Sequence, residues 1–205
     1  MEEEHLAITQ APVENILPRF RIHFGEPGAV ASLAESISLR LDPRVHNAPW
    51  VLLCIGTDRS TGDALGPLVG SKVAGAQNNP FHVYGTLSEP VHATNLKEKL
   101  REISTRHRNA FIIAIDASLG HLENVGVISV GTGPLLPGAG VHKALPPVGH
   151  LHITAVVNVG GFMEYVVLQN TRLHVVMCLA EVIAAALLEM AQRERKMGAK
   201  VSPPH

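Results

Sequence analysis

The stretch that decides the fold is Trp50-Val-Leu-Leu-Cys-Ile55-Gly-Thr-Asp-Arg-Ser-Thr-Gly-Asp63-Ala-Leu-Gly-Pro67. Its first six residues are apolar, which is typical of a strand buried on both faces of a parallel sheet. A long polar turn follows and ends in Asp63, and Pro67 is tolerated in the first turn of a helix. A strand, a turn and a helix in this order predict one unit of an α/β fold.

A second apolar run, Phe111-Ile-Ile-Ala-Ile115, leads directly into Asp116. In open α/β sheets, the loops at the carboxyl ends of the strands form the crevice where ligands bind. We therefore expect Asp63 and Asp116 to meet at one edge of the sheet. Two carboxyl groups in contact can work as an acid/base pair. The structural alternative for each residue is that it caps a helix or stabilises a turn.

Strands and helices alternate along the rest of the chain. Apolar patterns predict further strands over residues 20–24, 81–84, 125–130 and 152–158. Helical periodicity predicts helices over residues 28–41, from 66 or 67 onwards, 94–103, 162–170 and 172–193. The alternation predicts a mostly parallel sheet between helical layers, a three-layer α/β/α sandwich.

With 205 residues the chain is expected to form a single domain, over residues 19–195. Residues 1–18 show no clear period and are expected to form a mobile arm, and residues 196–205 a flexible tail. The segment 131–150 is rich in Gly and Pro. A segment of that length without a period is uncommon inside a domain unless it is functional or disordered.

The composition argues against several classes of protein. Charged residues make up 17% and the net charge is −1, so the concentrated Lys and Arg of a nucleic-acid-binding protein are missing. Only Cys54 and Cys178 occur, which implies no disulfide framework. The N-terminus is acidic, unlike a secretory signal. The apolar stretch 175–190 is expected to be too short for a membrane span. We therefore expect a cytoplasmic protein without a membrane partner.

Known catalytic spacings do not occur. The sequence has no H-E-x-x-H motif for zinc and no G-x-S-x-G motif of a serine hydrolase. No cofactor is therefore expected. A divalent cation held by the aspartate pair stays an alternative, with histidines from the later half of the chain as further ligands. The candidate histidines are His142, His150 and His152.

Three blocks of the sequence follow one another in this order: Gly56 with Thr61–Pro67, Phe111–Ala117 and Gly131–Val141. Taken together they resemble the spore germination protease family, especially its shorter relatives, the sporulation proteins of endospore-forming bacteria. This chain is much shorter than the germination protease itself. Asp58-Arg59-Ser60 also replaces that enzyme's aromatic and amide residues.

The resemblance implies a single α/β domain built like a phosphorylase or a hydrogenase maturation protease. It further implies an atypical peptidase that depends on two aspartates, which match Asp63 and Asp116. The implied substrates are proteins or peptides, small acid-soluble spore proteins among them, in the sporulating cell or the spore core. The hydrogenase maturation proteases bind nickel with acidic residues and a histidine, for which His142 is the nearest match by position.

We therefore expect a sporulation-associated endopeptidase in which Asp63 and Asp116 activate water. The residues expected to bind substrate are Asp58, Arg59, Gly133, Gly138 and Gly140. The backbone N–H groups of the segment 131–150 are suited to stabilising an oxyanion. Asp58 and Arg59 can instead pair within their loop. Two alternatives remain: a non-catalytic binding or assembly protein that uses the same cleft, and a metal-dependent maturation peptidase. The apolar helix 172–190 suits either a core or the interface of a homo-oligomer.

Overall fold

The computed structural model describes residues 17–41, 48–137 and 145–201, with side chains up to residue 196. Within these ranges the strands are β1 (Phe20–His23), β2 (Trp50–Cys54), β3 (Phe81–Tyr84), β4 (Phe111–Gly120), β5 (Val127–Thr132) and β6 (Leu151–Val159). The helices are α1 (Ala29–Ser38), α2 (Leu65–Ala74), α3 (Leu96–Arg106), α4 (Glu164–Gln169) and α5 (Leu173–Val201). Short 3₁₀ helices span Gly62–Ala64 and Leu122–Asn124. Most of the predicted arm, residues 1–16, lies outside the described residues.

The described strands form one sheet in the order β1-β5-β6-β4-β2-β3. Strand β2 pairs in parallel with β3 and β4, and β4 pairs in parallel with β6. Strand β5 is antiparallel to both of its neighbours, β6 and β1. All described strands except β5 therefore run in one direction, which confirms the predicted mostly parallel sheet.

Each face of the sheet has its own core because successive side chains of a strand point to opposite faces. Leu52 and Ile113 pack on the face that α1, α2 and α5 cover. Val51 and Ile112 pack on the opposite face, with the apolar side of α3. The helices thus cover both faces, and the predicted α/β/α sandwich is confirmed.

Helix α5 is the central helix of the first face and contacts both α1 and α2. Its fully buried side chains recur at helical spacing and include Val176, Leu179, Ile183, Leu187 and Met190. Its span Leu173–Lys196 is long and apolar enough to cross a membrane, so the expectation from stretch length was wrong. A core helix passes the same test of length and composition, and the buried stripe places α5 in the core. Helix α5 continues through residue 201, whereas the sequence predicted a tail from residue 196.

The segment 131–150 starts beside the amino end of β6 and not at the carboxyl ends of the parallel strands. Because β5 runs antiparallel to β6, the carboxyl end of β5 lies beside the amino end of β6, where Thr132 is paired with Leu151. From there Leu135 forms an isolated bridge with Val148, and both are buried in the α3-side core. The described parts of the segment therefore cover one face of the sheet. They begin at the amino ends of the parallel strands, opposite to the carboxyl ends where the crevice was predicted.

Candidate active site

Backbone hydrogen bonds fix the turn that carries Asp63. The N–H of Gly56 donates to the carbonyl oxygen of Val91 (2.8 Å), which ties the turn to the segment after β3. The N–H of Thr57 donates to the carbonyl oxygen of Asp63 (3.1 Å). This second bond closes the turn, so the chain returns to the end of β2 before α2 begins. Asp63 is held there within a 3₁₀ helix and is half-buried.

Two glycines allow this close return. Gly56 has a φ of 144°, which side chains rarely adopt, and a Cβ atom on it would overlap the carbonyl oxygen of Asp63. A Cβ atom on Gly66 would overlap the carbonyl oxygen of Ile55. The turn and the first residues of α2 therefore lie directly against the backbone at the end of β2.

Asp116 lies inside β4, which corrects the prediction that it follows the strand. The strand continues to Gly120 because it stays paired with β6, and Asp116 is in register with Thr154. The register shifts only between Ser118 and Leu119. Since side chains alternate along a strand, Asp116 shares the face of Ala114, the face that α3 covers.

The carboxyl groups of Asp63 and Asp116 are close enough to interact electrostatically. Burial raises the pKa of Asp116 well above its ordinary value, and repulsion from Asp63 raises it further. A hydrogen bond from the backbone of Ala117 opposes part of this rise in pKa. Burial also raises the pKa of Asp63, against the lowering effect of His92. The structure thus brings the two predicted aspartates within electrostatic reach of each other, and the charge of Asp63 disfavours the charged form of Asp116.

His92 is a further residue of this site and is not among the site residues predicted from the sequence. The backbone N–H of His92 donates to Asn95 Oδ1 (2.8 Å), and its ring Nδ1 is hydrogen-bonded to Thr94 Oγ1 (2.8 Å). These bonds orient the half-buried ring beside Asp63. The signal was its position, since it follows β3 as Asp63 follows β2.

The two predicted polar residues of the turn are exposed at its surface. The Thr57 hydroxyl lies 3.5 Å from Asp58 Oδ1 and accepts a bond from the Arg59 N–H (3.3 Å). Among the described residues no ion pair joins Asp58 to Arg59. Next to them, the hydroxyl of Ser60 is buried and has no hydrogen-bond partner in the described part of the chain. The turn thus presents a polar outer surface.

The predicted glycines of the segment 131–150 do not join this site in the described structure. Gly133 follows β5 at the opposite edge of the sheet, and its N–H donates to the carbonyl oxygen of His150 (2.8 Å). Gly133 follows Thr132, which is paired with Leu151. Leu151 precedes Thr154, the partner of Asp116, by three residues of β6, which is about 10 Å along a strand. Gly138 and Gly140 lie outside the described residues. Gly133 therefore lies apart from the two aspartates, and its role in substrate binding stays a prediction.

The histidines proposed as metal ligands are occupied elsewhere or not described. His150 Nδ1 accepts a hydrogen bond from the N–H of Ile112 (3.0 Å), and His152 Nδ1 is hydrogen-bonded to the Gly133 carbonyl oxygen (3.0 Å). Burial lowers the pKa of both imidazoles. His142 lies outside the described residues, and the described residues contain no group of three or more ligating side chains suited to a metal.

An apolar surface borders the site. A Cβ atom on Gly62, next to Asp63, would meet the side chains of Leu168 and Thr171, so the turn lies against the end of α4. Ten large apolar side chains are exposed in the described part of the chain, and six of them belong to this region. The six are Val159, Phe162, Met163, Tyr165, Val166 and Leu173. Such a concentration marks a contact surface.

Fold and site together define an α/β protein with two interacting carboxyl groups, one in the turn after β2 and the other within β4. The chain belongs to the family described as "Protein of unknown function (DUF1256)", whose model matches residues 21–186. It is 56% identical over 160 residues to the uncharacterized protein YyaC of Bacillus subtilis (strain 168), covering 77% of this chain and 78% of that protein.

Among solved structures, the chain is similar to the nickel–iron hydrogenase maturation protease HycI from Thermococcus kodakarensis KOD1. The TM-score is 0.43 and the identity 16%, over 69% of this chain and 93% of that one. A likeness at this level says nothing about activity. The resemblance to the spore germination protease family is not confirmed by these matches and stays a prediction.

Proposed function

We propose that this protein is an endopeptidase in which Asp63 and Asp116 activate a water molecule at a peptide carbonyl. The observation that carries the proposal is the electrostatic interaction of the two carboxyl groups: burial raises both pKa values, and repulsion from Asp63 raises the pKa of Asp116 further. A pair of this kind retains one proton at a pH where isolated carboxyl groups are ionised. One carboxyl is then a base and the other an acid, as water attack on an amide requires.

The surroundings of the two carboxyl groups support one division of roles within this proposal. His92 favours the charged form of Asp63, while both burial and the charge of Asp63 favour the neutral form of Asp116. Asp63 therefore accepts a proton from water, and the oxygen of that water bonds to the carbonyl carbon. The protonated Asp116 donates its proton to the carbonyl oxygen. When the carbon–nitrogen bond breaks, the proton on Asp63 passes to the leaving amine. One hydroxyl group of the diol returns its proton to Asp116 as the carbonyl reforms, so both carboxyl groups regain their starting states.

The substrate we propose is protein, with small acid-soluble spore proteins as the first candidates, inside the sporulating cell or the spore core. Two observations support this choice. Three sequence blocks, including those with Asp63 and Asp116, resemble the spore germination protease family. The exposed apolar side chains around α4 border the site and suit the side chains of a polypeptide. A nucleic-acid or membrane partner is not part of the proposal.

The test is cleavage of a purified small acid-soluble spore protein, followed by mass spectrometry of the fragments. Asp63→Asn and Asp116→Asn should each lower the rate by about 10²–10⁴-fold, the usual contribution of a general acid or base. Glu35→Gln is the matched control, because Glu35 is an exposed carboxyl group of α1 on the face of the sheet opposite to α3, and it should cleave at a rate close to that of the wild type.

Three outcomes contradict the proposal. Near-normal turnover in both aspartate variants would remove the acid/base mechanism. Cleavage that stops on addition of a chelator and returns with a divalent cation would indicate a metal-dependent maturation peptidase. Binding of the spore protein without cleavage would indicate a non-catalytic binding or assembly protein.

A further inference from the structure

The outer edge of β3 carries no paired strand in the described part of the chain. Strand β3 is the last strand of the sheet, and no described strand pairs with its outer side. The side chain of Asn79 covers the first residue, since it accepts from the N–H of Phe81 (2.9 Å) and donates to its carbonyl oxygen (3.3 Å). The backbone groups of Phe81 therefore point away from β2. Because these groups alternate along a strand, the N–H and C=O of Val83 point outward too.

A pocket of about 490 Å³ opens along this edge, on the side of α3. Strand β3 contributes His82 and Tyr84, and α3 contributes Lys99, Glu102 and Arg106. The far wall is the loop after β3, where Glu89 and Val91 line the same pocket. The open backbone of Val83 thus lies at the rim of a cavity large enough for side chains.

The polar side chains of the pocket are held in place by one another. His107, just after α3, stacks on His82 with ring centroids 4.1 Å apart, and its Nε2 is hydrogen-bonded to the hydroxyl of Tyr84 (3.0 Å). Glu102 forms ion pairs with Lys99 (2.8 Å) and Arg106 (2.9 Å). Cationic and carboxylate side chains are thus balanced along the wall, so the pocket suits uncharged polar or aromatic side chains.

We infer that this edge binds an extended segment of polypeptide as an additional strand, and that the segment is the part of the substrate beside the cleaved bond. The identity of the segment rests on the proposed function. The backbone of the segment pairs with Val83, and every second side chain enters the pocket. A helix cannot bind in this way because its backbone groups are bonded internally. The substrate class is therefore an unfolded chain or an extended loop.

The loop after β3 connects this edge to the aspartates. Val91 lines the pocket and accepts the hydrogen bond that anchors the Asp63 turn, and His92 lies beside Asp63. Strands are about 4.8 Å apart, so an added strand lies roughly 14 Å from β4. About four extended residues span that distance. One chain can thus occupy both the edge of β3 and the pair of carboxyl groups.

The experiment measures binding apart from cleavage, in the Asp116→Asn background. The probe is a fluorescein-labelled pool of decapeptides with blocked ends, followed by fluorescence anisotropy. Val83→Pro removes the outward N–H, and proline is tolerated at an edge position. His107→Ala removes the wall that holds His82 and Tyr84. Each change should weaken binding about tenfold or more, as the loss of one or two hydrogen bonds gives. His174→Ala, on the opposite face in α5, is the control and should bind normally.

The tightest peptide of the pool is then resynthesised with a single N-methyl group at each position in turn, which needs no change to the protein. Strand addition predicts loss of binding at every second position. Unchanged affinity of folded Val83→Pro, a uniform effect of N-methylation, or no binding at roughly 1 mM probe would each overturn the inference. If cleavage depends on Asp63 and Asp116 but the binding tests fail, only this inference is removed. If the peptides bind as predicted but no cleavage depends on the two aspartates, only the proposed activity is removed.

Discussion

Asp116→Asn is expected to stabilise the folded protein at neutral pH. In the wild type the carboxyl group is half-buried and faces Asp63, so its pKa lies well above the ordinary value of 3.8. Asparagine keeps the oxygen that accepts the hydrogen bond from the Ala117 N–H but carries no charge. The substitution thus removes the cost of charging this group inside the fold.

The direction of the effect follows from proton linkage. The folded state binds the proton of Asp116 more tightly than the unfolded state does, so this group contributes most to stability below its ordinary pKa. That contribution is lost as the pH rises from the ordinary value through the raised one. Each unit of difference in pKa corresponds to about 1.4 kcal/mol. We expect a gain on the order of 1–3 kcal/mol, the usual range for an uncompensated buried polar group.

The assay is urea and thermal unfolding of both proteins at about pH 4 and pH 7.5. For a domain of this size the gain corresponds to roughly 2–4 °C of Tm per kcal/mol. The difference between Asp116→Asn and the wild type should be small at the lower pH and larger at the higher one. Asp63→Asn should also stabilise, and the double variant should gain less than the sum, because either change relieves the same repulsion. A variant less stable than the wild type at pH 7.5 would refute the reasoning.

Three further predictions concern single residues. Gly66→Ala should lower the free energy of unfolding in urea by roughly 2–4 kcal/mol, since its Cβ atom would overlap a carbonyl oxygen at the end of β2; a change below that range would show that α2 can shift outward. Native protein should react with a thiol reagent at Cys178 only, because Cys54 is fully buried and burial raises the pKa of its thiol; reaction of both thiols before unfolding would contradict this. His92→Gln should move the acidic limb of the kcat/KM profile to higher pH, because the positive charge of His92 lowers the pKa of Asp63. An unmoved limb would exclude an electrostatic role for His92.

Much of the architecture could be predicted from the sequence because the central strands are buried on both faces. The apolar runs beginning at Trp50 and Phe111 have no polar alternation to obscure them, and they proved to be adjacent parallel strands. The helices were predictable for the same physical reason, since each buries one stripe of apolar side chains. The meeting of Asp63 and Asp116 followed from the rule that carboxyl ends of parallel strands share an edge.

The remaining features depend on pairing partners that the local sequence does not reveal. Strand β4 extends past Asp116 because β6 continues to pair with it, although its own residues there are mixed in polarity. The position of Gly133, far from the aspartates, could not be predicted because nothing in β5 itself shows that this strand runs antiparallel to its neighbours. His92 was missed because the loop after β3 contains no pattern, and only the anchoring of Val91 to Gly56 draws it towards Asp63.

The glycines at the end of β2 separate two properties of the Asp63 turn. Its path is set by main-chain atoms that lie directly against main-chain atoms, with no side chain between them at Gly56 or Gly66. The side chains of Asp58 and Arg59 point to solvent and take no part in that contact. Substituting these two residues should therefore change which ligands the surface of the turn binds without displacing Asp63. The turn is for this reason a suitable place to engineer selectivity.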